Sequence, residues 1–150
     1  PFGMYALNSM RLEKGYRTWK GDLSTDYTLL EGGIERFINF DKPQNFPGKA
    51  ALLAEKQEGS KKRFVTLIVD TEFADAPYMS TIWFGNEVVG ETTSGDWGYR
   101  VGASIAFGMV RADLSSPGTK LEVEIFGKRC NATVQKDEPL WDPKNERIRG

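Results

Sequence analysis

The chain has 150 residues and 16.8 kDa, with 39% hydrophobic, 12% aromatic and 27% charged side chains. A chain of this size and composition folds as about one ordinary domain and can bury roughly 68–70% of its unfolded surface, which excludes disorder. Twenty basic against 21 acidic residues, a net charge of −1, argues against an electrostatic nucleic-acid binder.

There is no histidine. This removes Ser-His-Asp and Cys-His catalysis and every His-ligated metal site from the chain. The single cysteine, Cys130, cannot form an internal disulfide or a cysteine zinc cluster, so no metal site is expected. A lone thiol fits a reducing compartment, cytoplasmic or, in a eukaryote, the mitochondrial matrix. No apolar run is long enough for a membrane helix and no signal peptide is visible, so no membrane partner is expected. The first residue is Pro1 rather than methionine, which implies processing or a piece of a longer protein.

In chain order, Gly3 to Tyr16 carries Met4, Leu7, Met10 and Leu12 at helical spacing, with Arg11 and Lys14 opposite, and Gly15 as a stop. Lys20-Gly21-Asp22 reads as a turn. Leu30 to Phe40, with Ile34, Phe37, Ile38 and Phe40, reads as a strand closed by Asp41-Lys42-Pro43. Gly48 to Gln57, between Pro47 and Gly59, reads as a short helix. The polar stretch Glu58 to Lys62 is the expected boundary.

Beyond it come six short strands: Phe64–Val69, Ser80–Phe84, Glu87–Val89, Ser104–Val110, Leu121–Phe126 and Asn131–Val134. Gly85-Asn86 and Gly127-Lys128 read as hairpin turns. The expected fold is α+β, mainly β. A helix, strand and helix segment over 1–58 leads into a closed or nearly closed antiparallel barrel over 59–150. The first segment is too fragmentary to hold its own core, so its apolar faces need a partner.

The chemistry-bearing candidates are few. Asp22, Asp26, Glu31 and Glu35 could offer a carboxylate pair, although solvated turn residues are the stronger reading. Gly90 to Gly95 (GETTSG) has the look of a phosphate cradle but lacks the P-loop ending, so a turn or bulge is expected. Gly95, Gly98 and Gly102 lack the strand–turn–helix setting of a dinucleotide site. Cys130 reads as a packed thiol, and Lys61-Lys62-Arg63 as a solvated linker. Trp19, Trp83, Trp97 and Trp141 could stack a flat ligand or simply pack.

Several ordered motifs carry a resemblance. Ala6 to Trp19 (ALNSMRLEKGYRTW) is similar to the LRLE-G segment of the glycine cleavage T-protein (aminomethyltransferase) superfamily. Thr28–Gly33 matches its TPLEAG, and Phe46–Leu52 its FxGKxAL. Val89–Gly95 matches VGxxTSG, Pro117–Val123 matches PGxxLxV, and Pro143–Arg147 resembles a DPxNxR tail. Within the superfamily the wording is most like the folate-binding C-terminal region of dimethylglycine and sarcosine dehydrogenases.

The resemblance implies that residues 1–58 end a larger folate-binding α+β domain and that 59–150 form its C-terminal barrel. It implies tetrahydrofolate as cofactor, with FAD only in an upstream domain absent from this chain. There the flavin oxidises an N-methyl amine substrate, and the one-carbon unit leaves as methylene-tetrahydrofolate. The family's catalytic aspartate lies upstream of Pro1, so no catalytic residue is assigned here and the chain alone is expected to be inactive. Four residues are implied at the folate site: Arg11, Trp19, Arg36 and Trp141. Arg11 matches an arginine beside the folate; the competing reading is a pair with Glu31 or Glu13. Arg36 departs from the usual Tyr or Trp, Leu29 replaces a proline, and Lys20 stands where glycine is common. The alternatives are an aminomethyltransferase of the glycine cleavage type and a non-catalytic binding barrel.

Overall fold

A computed structural model describes residues 1–149. The elements are α1 (Met4–Glu13), α2 (Lys49–Glu58), β1 (Lys62–Val69), β2 (Thr81–Phe84), β3 (Glu87–Gly98), β4 (Ala103–Arg111), β5 (Lys120–Ile125) and β6 (Lys128–Val134). The six strands close into an antiparallel barrel in the order β1-β4-β3-β2-β5-β6. Both expected hairpins form, with Gly85 at φ 58° and the Phe126-Gly127 pair at φ 47° and 80°.

Alternation along the strands divides the core in two. Val65, Leu67 and Val69 of β1 fill the barrel interior with Ala106 and Val110 of β4 and with Ile82, Val123, Ile125, Cys130 and Val134. The opposite face of the wall carries Phe64, Ile105, Phe107 and Met109, and Leu12 of α1 covers it. Phe64 and Phe107 meet edge to face, with ring centroids 5.0 Å apart. Strand β4 is thus buried on both faces, which is why Ser104–Val110 reads as an unbroken run.

The segment before the barrel departs from expectation in two places. Helix α1 ends as foreseen: Gly15 takes φ 71°, Tyr16 N–H donates to Arg11 O, and Gly15 N–H donates to Leu12 O. Its buried residues, however, are Ser9, Leu12 and Glu13, whereas Met4 is 76% exposed. Apart from Leu12, the helix meets the barrel through polar contacts. Ser9 Oγ donates to Trp97 O at 2.6 Å, Asn8 Nδ2 to Asp96 at 2.9 Å, and Arg100 N–H to Glu13 Oε1 at 2.5 Å. Most of the apolar stripe is left open.

The second correction concerns Leu30–Phe40, which is no strand. It is a turn followed by one short 3-10 helix, Glu35–Phe37. Thr28 and Glu31 form a reciprocal box: Glu31 N–H donates to Thr28 Oγ1 and Thr28 N–H to Glu31 Oε2. Gly33 and Ile34 donate back to Leu30 and Leu29 within the turn, so the backbone groups a ladder would need are already used locally. Glu31 also ties this turn to β1, accepting from Phe64 N–H at its carbonyl and from Lys62 N–H at its side chain. Helix α2 forms as expected between Gly48 and Gly59, both at positive φ, yet buries none of its residues.

Candidate functional site

The densest polar cluster joins α1, the turn after it and β3. Its centre is Asp22, whose side chain is 0% exposed. Asp22 Oδ2 accepts from Arg11 Nη1 at 2.7 Å, from Thr18 N–H at 2.8 Å and from Thr18 Oγ1 at 3.0 Å. Oδ1 accepts from Thr93 Oγ1 at 2.7 Å and from Ser94 Oγ at 2.5 Å. Neighbouring side chains on a regular strand point to opposite faces. Thr93 and Ser94 reach one carboxylate because the β3–β4 register slips between Thr92 and Ser94, a bulge that re-aims them.

This explains the GETTSG stretch as the expected bulge. Thr92 Oγ1 donates to Pro77 O and accepts from Ser80 N–H. A Cβ on Gly95 would stand 2.1 Å from the carbonyl oxygen of Ala76, so only glycine lets that loop cross the strand. Asp22 is a buried hub and not the solvated turn carboxylate that its neighbours suggested. No periodicity marks it; the only sequence signal is a Thr four residues before an Asp, answered by a Thr-Thr-Ser run far downstream.

Arg11 pairs with Asp22, not with Glu31 or Glu13. Its Nε and Nη2 donate to Asn8 Oδ1, Nη1 also to Tyr16 O, and Nη2 also to Ser94 Oγ at 2.8 Å. Every donating nitrogen is engaged by the protein. The guanidinium also lies 5.7 Å from the Phe107 ring centroid. Arg11 therefore fastens the helix and the turn to the barrel.

Trp19 lies in the same turn and is 68% exposed. Lys20 follows at φ 69°, the left-handed conformation that glycine adopts at no cost. Its N–H donates to Leu23 O at 2.6 Å, which closes the turn.

Trp141 sits at the far end of α1. Its N–H donates to Glu13 O, and its ring lies beneath Arg100 at 4.4 Å and Lys14 at 5.4 Å. The buried ammonium of Lys14 donates to Asp142 O and Asn145 Oδ1, both at 2.8 Å, clasping the chain after the barrel. Burial pushes the Asp142 carboxyl up, but N–H groups of Arg147, Ile148 and Glu146, with nearby Lys14, outweigh it and hold it below the usual range.

Arg36 is exposed, stacked 4.9 Å from the Phe37 ring. It lines a cavity of about 460 Å³ with Leu30, Phe40, Glu55, Lys56 and Arg63, and none of the other three implied residues lines it. The structure thus brings Arg11 and Trp19 onto one feature, and places Arg36 and Trp141 elsewhere. Cys130 is buried in the barrel core. Among the described residues no group of His, Cys, Asp or Glu is placed to hold a metal, and no helix is long and apolar enough to cross a membrane.

The model of the glycine cleavage T-protein C-terminal barrel domain matches residues 62–142, more than half the chain. The chain belongs to this family. The GCVT N-terminal domain matches residues 1–42. Mouse mitochondrial dimethylglycine dehydrogenase is 43% identical over 148 residues, which cover 98% of this chain and 17% of the relative. The aminomethyltransferase of Prochlorococcus marinus is 35% identical over 136 residues, covering 91% of this chain and 36% of the relative. Among solved structures, the glycine cleavage system aminomethyltransferase T from Bartonella henselae superposes with a TM-score of 0.82 at 25% identity, over 92% of this chain and 38% of that one. The chain as a whole therefore spans about 17% of the dimethylglycine dehydrogenases it matches. Arg11 of the RLEKG stretch and Thr93 and Ser94 of the VGETTSG stretch meet Asp22 from its two sides.

Proposed function

We propose that this chain is the C-terminal, folate-completing region of a flavin-dependent dehydrogenase of the dimethylglycine and sarcosine type. The observation that carries the reading is the match to dimethylglycine dehydrogenase along nearly the whole chain, at higher identity than to the aminomethyltransferase. Residues 1–58 would belong to the folate-binding domain and 59–150 to its barrel.

The side chains suit a folate. An exposed tryptophan presents a flat apolar face to a pterin or aminobenzoyl ring. Arg36 and Lys56 offer cations for the carboxylates of a glutamate tail, in a cavity where Arg63 is already paired with Glu35. Trp19 and Arg36 would meet the ligand, while Arg11 and Trp141 hold the wall that bears it. Tetrahydrofolate, when bound, supplies the nitrogens that take up the one-carbon unit. The flavin and the amine site belong to upstream domains of the same protein. Mouse, rat and human relatives bear mitochondrial names, which supports the matrix as the compartment in a eukaryotic source.

The test uses the full-length protein that carries this chain. A flavin absorbance band, and suppression of free formaldehyde by tetrahydrofolate during dimethylglycine oxidation, are the expected results. A colourless protein that transfers an aminomethyl carbon would select the aminomethyltransferase reading. Failure to bind folate in any form would leave a binding barrel. The isolated chain is expected to show no folate-dependent turnover, and detectable turnover would sink that expectation.

A further inference from the structure

The buried pair of Arg11 and Asp22 is costly to build. Removing two charges from water cancels much of their attraction, so a buried ion pair contributes little net stability over well-packed apolar residues. What such a pair supplies is one fixed geometry, and here the geometry is that of the turn Thr18–Leu23. Asp22 gathers the N–H and hydroxyl of Thr18 into its own carboxylate, closing the turn from within. It then pins that closed turn to the bulge of β3 through Thr93 and Ser94, and to α1 through Arg11. The residues left facing outward at the tip are Trp19 and Lys20, the latter in a strained left-handed conformation. A strained tip held by a buried carboxylate is an arrangement for presenting a side chain.

We infer that Asp22 is a positioning residue of the folate site: it fixes the turn that presents Trp19 to the bound cofactor. The inference rests on the folate reading above. Asp22 touches no ligand. It acts by holding the indole in one orientation relative to the barrel, so its loss lets the tip sample others and weakens cofactor binding without touching the chemistry of amine oxidation.

The experiment uses the full-length protein carrying this chain, with Asp22→Asn. Asn keeps the shape but loses one acceptor and the charge that balances Arg11. The expected result is a rise of about tenfold in the KM for tetrahydrofolate. kcat with an artificial electron acceptor is expected to change by less than about twofold. The double variant Thr93→Val/Ser94→Ala keeps the Arg11–Asp22 pair but removes the bulge's two hydroxyls, including the one that accepts from Arg11 Nη2; it is expected to raise the same KM by a smaller factor. It also carries the test if Asp22→Asn does not fold. A lowered melting temperature with an unchanged tetrahydrofolate KM overturns the inference, since Asp22 would then be structural only. A parent protein whose formaldehyde release ignores tetrahydrofolate overturns the folate reading and, with it, this role.

Discussion

Between Lys62 and Val134 most large apolar side chains pack against each other, inside the barrel or beneath α1. Between Phe2 and Leu53 the opposite holds: Met4, Tyr5, Trp19, Phe37 and Leu53 all stand open. The two regions obey the same physics with different partners. The barrel closes its own hydrophobic account. The segment before it is shaped by polar contacts to that barrel, and its apolar surface remains for something else to cover.

The largest effect should come from the barrel wall. Phe107→Ala is expected to cost about 3–5 kcal/mol in urea unfolding, because a fully buried ring leaves a cavity beneath α1. A loss below about 1 kcal/mol would mean that the wall does not depend on α1 for its packing. Next is the polar seam. Glu13→Ala strips the acceptor from Arg100 N–H and from its guanidinium, and about 1–3 kcal/mol should be lost. Amide exchange of α1 should quicken well before that of β4; equal rates would contradict a helix held by polar contacts.

A smaller effect is expected from acid. Asp142 titrates below its ordinary value in the folded chain, against about 3.9 unfolded. Its contribution is therefore present above the unfolded value and lost as pH falls through the folded one. Trp141 fluorescence should report release of the tail only as pH falls below the ordinary carboxylate value of about 3.9, with the barrel intact. Release near neutral pH would refute this account. The smallest effect is Tyr5→Ser, within about 0.5 kcal/mol for this chain alone. In the full-length protein the same change should cost measurably more, and an equal cost in both would show that the open face is never covered.

The barrel was legible because its signals are local and redundant. Alternation, β-branched runs and Gly turns agree at every strand, and all six appeared with boundaries shifted by a few residues, β3 excepted. That strand runs on to Gly98, and its bulge breaks the alternation after Val89 that would have shown it. The first segment was less legible. Apolar residues at Ile34, Phe37 and Ile38 imitate a strand, yet the Thr28–Glu31 box and Gly33 commit the backbone to a turn. In α1 an apolar stripe implied burial, and the helix buried only Leu12 of it, together with Ser9 and Glu13. The candidate site lay beyond local signals altogether. Arg11 and Trp19 could be picked out by resemblance, but Asp22 is defined by partners more than seventy residues away.

A ring of strands has no first and last member. Each of the six lends its hydrogen-bonding edge to two neighbours, so the closed sheet offers no template on which a stray strand could nucleate an aggregate. Such a unit travels well. It can be joined to very different enzymes without bringing a sticky margin to the junction. The dehydrogenase and the aminomethyltransferase that match this chain do so over very different shares of their own length, 17% and 36%.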